Sequence, residues 1–189
     1  MKAKKFNLLL NDLSACEDAK LFAADKSLKE VWDTCPRGDW MLWLAKKADV
    51  DIRTLTKAKA LCANTVRHLM KDKRSTNAID VAIKFGDGIV ELPELNAATA
   101  YAAAAYAATA YAAAAYAAYA AAYAAADADD AADDAAYAAA DDAARAATAY
   151  AAADAAAYAR KENQLATANI CREQIPYKLI KSQLEKLKP

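Results

Sequence analysis

Apolar residues recur along this chain at intervals of three and four, and no stretch alternates with period two. One face of a helix repeats every 3.6 residues, so this spacing predicts helices almost throughout. Leu9, Leu10, Leu13, Cys16 and Leu21 form a stripe that predicts a first helix over residues 8–24. Ser27 and Glu30 have the spacing of a capping box and open a short helix holding Val31 and Trp32. Cys35-Pro36-Arg37-Gly38-Asp39 stops it, because Pro36 cannot donate a hydrogen bond and Gly38 loosens the backbone. Asp39 is expected to cap the next helix, which carries Trp40, Trp43 and Leu44 on one face.

Asp51 is expected to cap a long helix reaching Met70. Ile52, Leu55, Cys62, Val66 and Leu69 share its apolar face, and Arg53, Lys57, Arg67 and Lys71 lie mostly opposite, as a solvated basic face. Ser75 or Thr76 is expected to open a further helix with Ile79, Ile83 and Phe85, ended by Gly86-Asp87-Gly88. Pro93 suits the first turn of the helix that follows. Ile170 and Ile175 belong to the last turns before Pro176, and Leu179, Ile180, Leu184 and Leu187 to a terminal helix.

The stretch between these parts follows different rules. Of the 63 residues from Ala97 to Ala159, 42 are Ala, nine Tyr, eight Asp, three Thr and one Arg. Alanine is the best helix former, since it loses no side-chain entropy. Its methyl group buries little area, so the segment needs the larger side chains of its flanks for a core. An unbroken helix from Pro93 to Lys161 would be about 100 Å long. A compact chain of this size has a radius of gyration near ~16 Å. The segment is therefore expected to break and return on itself, with Asp127–Asp130 and Asp141–Asp142 as the available caps. Tyr101, Tyr106, Tyr111 and Tyr116 stand five apart and spiral around a helix, which favours an enclosed position. Further on, Tyr116, Tyr119, Tyr123, Asp127, Asp130, Asp134, Tyr137 and Asp141 fall within about 80° of one another at helical spacing, a Tyr/Asp stripe.

The fold expected from these patterns is all-α: a compact array of about eight helices with the Ala-rich region folded back. It forms one domain over 1–189, made of Leu/Trp-bearing helices (1–92), Ala/Tyr/Asp-rich helices (93–160) and a C-terminal helical segment (161–189).

Charge adds an asymmetry that the net value of zero conceals. Residues 1–96 carry 17 basic and 14 acidic side chains, residues 97–159 one and eight, and residues 160–189 seven and three. No strongly basic footprint for nucleic acid is present. The 30 residues from Ala97 to Ala126 carry no charge, but Ala is near neutral for membrane insertion and the Tyr side chains sit mid-segment. No membrane span is expected. Cys16, Cys35, Cys62 and Cys171 show no paired spacing, and the apolar run after the basic start is too short for a secretory leader. Free thiols in a reducing cytoplasm are the expectation.

Little in the sequence points to catalysis. His68 is the only histidine, and no nucleophile or orienting partner accompanies it. There is no Gly-rich phosphate loop and no zinc spacing. Asp129/Asp133 and Asp130/Asp134 are repelling i, i+4 pairs, and no glycine shapes a calcium loop around them. They read as a solvated face or a contact surface for a basic partner. Arg37-Gly38-Asp39 matches a cell-adhesion tripeptide, but Asp39 is expected to be occupied as a cap. No cofactor, metal or catalytic residue is assigned.

The spacing W-x-x-C-x-R-G-D-W-x-x-W, formed by Trp32, Cys35, Arg37, Gly38, Asp39, Trp40 and Trp43, carries one resemblance. With the order of parts after it, ending in Ala159-Arg160-Lys161-Glu162-Asn163, it resembles a bacterial and phage family of alanine-rich helical proteins named as immunity proteins. The resemblance covers nearly the whole chain and implies binding and neutralising a toxin, with no catalytic residues to carry over. The Ala region here holds more Tyr and Asp and fewer Arg than the family pattern. The leading expectation is a non-enzymatic protein that occludes a protein partner, either a toxin or a neighbour in an assembly. Tyr119, Tyr123, Asp127, Asp129, Asp130, Asp133, Asp134 and Tyr137 would be its contact candidates. The alternatives are a structural component of a phage particle or other assembly, including a homo-oligomer, and a protein that sequesters a small ligand.

Overall fold

A computed structural model describes residues 1–70, 72–108 and 153–187. Among these residues every regular element is helical. They are α1 (Ala3–Asp12), α2 (Glu17–Ala23), α3 (Leu28–Thr34), α4 (Gly38–Lys47), α5 (Ile52–Asn64), α6 (Lys73–Gly86), α7 (Leu92–Ala108), α8 (Ala153–Gln174) and α9 (Tyr177–Lys186), with a 3-10 turn at Arg67–Leu69. The all-α expectation holds.

Several boundaries follow the expected caps. Ser27 accepts from the Glu30 amide at 3.3 Å while Glu30 accepts from the Ser27 amide at 2.7 Å, completing the capping box of α3. Asp51 accepts from the Thr54 amide at 3.0 Å and starts α5. Gly88, at φ +74°, takes the left-handed position after α6.

Other boundaries differ from the expectation. The first helix is two, α1 and α2, separated by a turn in which Ser14 adopts φ +59°. This puts Phe6 and Leu10 in the core and leaves Leu21 exposed. The long Asp51 helix ends at Asn64 rather than Met70. There the Thr65 hydroxyl donates to the Cys62 carbonyl at 2.7 Å and so competes with the next helical turn. The cap of α6 is Asp72, which accepts from the Arg74 amide at 2.8 Å, not Ser75 or Thr76. Asp39 does not cap α4, because Arg37 holds the N-cap position and the Asp39 side chain is committed elsewhere.

The main core gathers Phe6 and Leu10 of α1, Leu28, Val31 and Trp32 of α3, Leu42, Leu44 and Ala45 of α4, Leu55 of α5, Ala168 and Cys171 of α8 and Ile180 and Leu184 of α9. Trp40 and Trp43 pack on it half-buried. A second cluster joins Ala60, Ala82, Phe85 and Leu95 across α5, α6 and α7. At Ala78 and Ala102, α6 and α7 meet through methyl groups alone, as small side chains permit.

The expected solvated basic face of α5 is instead a seam. Arg53 donates to the carbonyls of Phe85 (2.7 Å) and Val90 (3.2 Å), pairs with Glu91 (2.7 Å), and its guanidinium stacks 4.4 Å from the Phe85 ring centre. Lys57 pairs with Asp87, and Arg67 with Asp80 at 2.6 Å. The acidic partner of this face is thus α6 and the turn after it.

The Ala-rich region leaves this frame on α7, which packs on α6, and rejoins it on α8, which packs on α4 and α5. Tyr101 is 61 % exposed beside Arg74, so the enclosed position expected for the Tyr spiral does not hold at its first member. Tyr111 and Tyr116, the Tyr/Asp face and the candidate breaks at Asp127–Asp130 and Asp141–Asp142 lie outside the described residues.

Candidate functional site

The residues that carry the Trp32–Trp43 spacing converge where α3, α4 and α8 meet. Cys35 ends α3 in an extended conformation (ψ 123°), as the residue before a proline must. Arg37 is extended too, and Gly38 begins α4. At Gly38 the backbone of α4 comes so close to α8 that an added Cβ would lie 2.6 Å from Thr167 Oγ1. Only glycine fits this approach.

The polar side chains at this corner bind one another and the frame. Arg37 Nε donates to Asp39 Oδ1 at 2.8 Å and its Nη2 to Asp39 Oδ2, a fork of two parallel bonds. The Asp39 side chain is 1 % exposed. The Arg37 guanidinium also lies 4.8 Å from the Trp40 ring centre, which places a cation on an aromatic face. Arg172, on α8, donates through Nε to the Trp32 carbonyl at 3.0 Å and through Nη2 to the Cys35 carbonyl. These carbonyls at the end of α3 have no helical donor left, so Arg172 is their cap. The cell-adhesion reading of Arg37-Gly38-Asp39 fails on this geometry, because the carboxylate is buried and paired.

Three thiols lie in the same region. Cys171 Sγ donates to the Gly38 carbonyl at 3.5 Å and Cys62 Sγ to the Thr167 carbonyl at 3.7 Å. Burial pushes the Cys35 thiol up to about 11. A hydrogen bond with Cys62, and then burial, raises Cys171 well above the ordinary thiol range. Cys35 and Cys171 therefore stay protonated and unreactive. All four cysteines are free, and only Cys16 is exposed. Among the described residues no group of three potential ligands could hold a metal ion.

Beside this corner α1, α2, α3 and α4 line a partly open cavity of about 210 Å³. Its walls are mainly apolar and aromatic, including Phe6, Leu10, Phe22, Trp32, Trp40 and Trp43. The Phe22 and Trp40 rings stand 6.1 Å apart at 52°, a tilted pair. Its polar lining includes the buried Cys35 and Asp39 and the exposed Ser14 and Cys16. Trp32 is 2 % exposed, and its indole N–H has no hydrogen-bond partner.

Trp32 belongs to the core with Trp40 and Trp43 packed against it, and the cavity they border has walls from four helices, which no local sequence pattern joins. The sequence did hold one signal: aromatic side chains on the facing sides of α2, α3 and α4. His68 is exposed on the 3-10 turn and is not among the residues that line the cavity. The contact candidates Tyr119, Tyr123, Asp127, Asp129, Asp130, Asp133, Asp134 and Tyr137 lie outside the described residues. No helix among the described residues is long and apolar enough to cross a membrane. Comparison with family models, curated proteins and solved structures finds no match.

Proposed function

We propose that this chain is a non-enzymatic binding protein of the immunity or inhibitor type, acting in the cytoplasm by occluding a protein partner. The observation that supports this reading is the anchoring of α7 and α8 on one frame, α4 to α6. A segment held at both ends by a packed base suits a contact surface, because less freedom is lost when a partner binds. The Tyr/Asp composition between the two helices suits a partner with a basic face, since Tyr is enriched at interfaces and carboxylates favour cationic surfaces. Arg37 and Asp39 pair with each other at the start of α4, and Arg172 of α8 binds the end of α3, in keeping with a scaffold.

The test is capture of an interacting protein from the native host, followed by its identification. A basic toxin-like protein, retained by the intact chain and released when Asp129, Asp130, Asp133 and Asp134 are all replaced by Asn, supports the reading. Helical circular dichroism of that variant should be unchanged. Capture that survives the four substitutions rules out the Tyr/Asp face, and a captured capsid or assembly component favours the structural alternative.

A further inference from the structure

We propose that the partly open cavity lined by α1, α2, α3 and α4 is a binding site for a small, uncharged, apolar ring compound, selected by apolar contact and by the exclusion of charge. The proposal does not rest on the partner reading above.

Protein interiors are packed like organic crystals, and a void loses the contacts that would fill it. An engineered apolar cavity of about 150 Å³ stays dry and takes up benzene. The space here, about 210 Å³, is somewhat larger and suits one or two rings. Phe6, Phe22, Trp32, Trp40 and Trp43 supply much of its lining, and aromatic walls hold a flat guest through offset and edge contacts. Because the cavity is partly open, a guest can enter without the core unfolding.

The polar residues of the lining set what is refused. Asp39 is the one charged residue among them, and both its oxygens accept from Arg37. Cys35 Sγ donates to the Arg37 carbonyl at 3.4 Å. Both buried groups are engaged within the protein, so neither calls for an ionic guest. The Arg37–Asp39 pair is neutral as a unit, and a charged molecule would lose hydration here without gaining a counter-ion. An apolar guest loses nothing comparable and gains the transfer of its surface out of water.

Three probes of one shape separate these effects: naphthalene is apolar, naphthalene-2-sulfonate adds a negative charge and N-methylquinolinium carries a positive one. Calorimetric titration of the intact protein should show saturable, one-to-one binding of naphthalene. Both ions should bind at least ~100-fold more weakly, the least that stripping a charge of its hydration costs. All three Trp of the chain border the cavity, so their indole N–H signals in an NMR spectrum locate the guest. Naphthalene should shift them and leave the amide signals of α6, which supplies no lining residue, in place. Ala19→Phe puts a ring at a lining position on α2 and should weaken naphthalene binding at least tenfold with helical circular dichroism retained. The proposal is overturned if naphthalene does not bind saturably, if either ion binds as tightly, if binding leaves the indole signals unmoved, or if a folded Ala19→Phe binds as well as the unmodified chain. The first three outcomes need no variant, so they decide the matter even if Ala19→Phe fails to fold.

Discussion

Gly38 and Thr167 bring α4 and α8 together backbone against backbone: a Cβ on Gly38 would lie 2.7 Å from the Thr167 carbonyl carbon. In an exposed helix, Gly→Ala stabilises by about 1 kcal/mol. Here the obstructing atom is main chain and cannot rotate aside. Gly38→Ala should therefore destabilise by about 1–3 kcal/mol, the usual cost of overpacking. Adding Thr167→Ala should restore only part of the loss, since the backbone carbon remains. Gly88→Asn is the control: its left-handed φ of +74° suits Asn, and nothing lies within 4 Å of an added Cβ, so the unfolding midpoint in denaturant should hardly move.

The buried Asp39 carboxylate depends on Arg37. Arg37→Ala strands a charge that is 1 % exposed and should cost about 3 kcal/mol. Asp39→Asn in the same background should recover a large part, because an amide carries no charge to strand. A double-mutant cycle from urea unfolding measures the coupling. Additive losses would show that the pair contributes nothing beyond its parts.

Acid should weaken the fold through three carboxyls. The Arg67 hydrogen bond holds Asp80 below its ordinary 3.8, the Arg74 hydrogen bond does the same for Asp72, and the Ser27 backbone amide holds Glu30 below 4.5. Between the native and unfolded values the unfolded chain binds more protons, so stability rises with pH there. The contribution is complete above the ordinary values and is lost as pH falls through the lower native ones. Asp80 is 45 % exposed, so solvent screening keeps its share below ~1 kcal/mol. Unfolding free energy measured from pH 7 downward should fall below about pH 4, and Asp80→Asn should flatten part of that slope.

Thiol chemistry should separate one cysteine from three. Cys16 is exposed, while Cys35, Cys62 and Cys171 are buried, and the Cys35 thiol stands at about 11. A maleimide at neutral pH should label the native protein once, at Cys16, and all four cysteines in denaturant. Rapid native labelling at Cys62 or Cys171 would show that α5 and α8 separate readily.

Much of the helical order was legible because its signals are local. The Ser27–Glu30 box, the Asp51 cap and the Gly88 stop each act within a few residues, through backbone groups that any helix end leaves unpaired. Leu55, Ile79, Ile180 and Leu184 were legible as core for a similar reason, since burial follows the helical period. Of the contact candidates, Tyr119, Tyr123, Asp127, Asp130, Asp134 and Tyr137 share one face at helical spacing, and all eight candidates lie outside the described residues.

Tertiary structure decided what depends on residues far apart in the chain. Asp39 has the composition of a cap, and its partner Arg37 is only two residues away, yet its carboxylate is buried because α3 and α8 close over the start of α4. Arg53, Lys57 and Arg67 have the spacing of a solvated face, yet α6 and the turn after it bring carbonyls and carboxylates to them. Arg172 caps α3 across more than a hundred residues, a pairing no periodicity encodes. The cavity follows the same logic, since four helices each supply part of its wall. The sequence by itself determined an all-helical chain, its main caps and which side chains seek burial, because these are set by backbone hydrogen bonding and by apolar area within a few turns. Which buried polar groups find partners, and that Trp32 Nε1 finds none, was decided only when distant helices met.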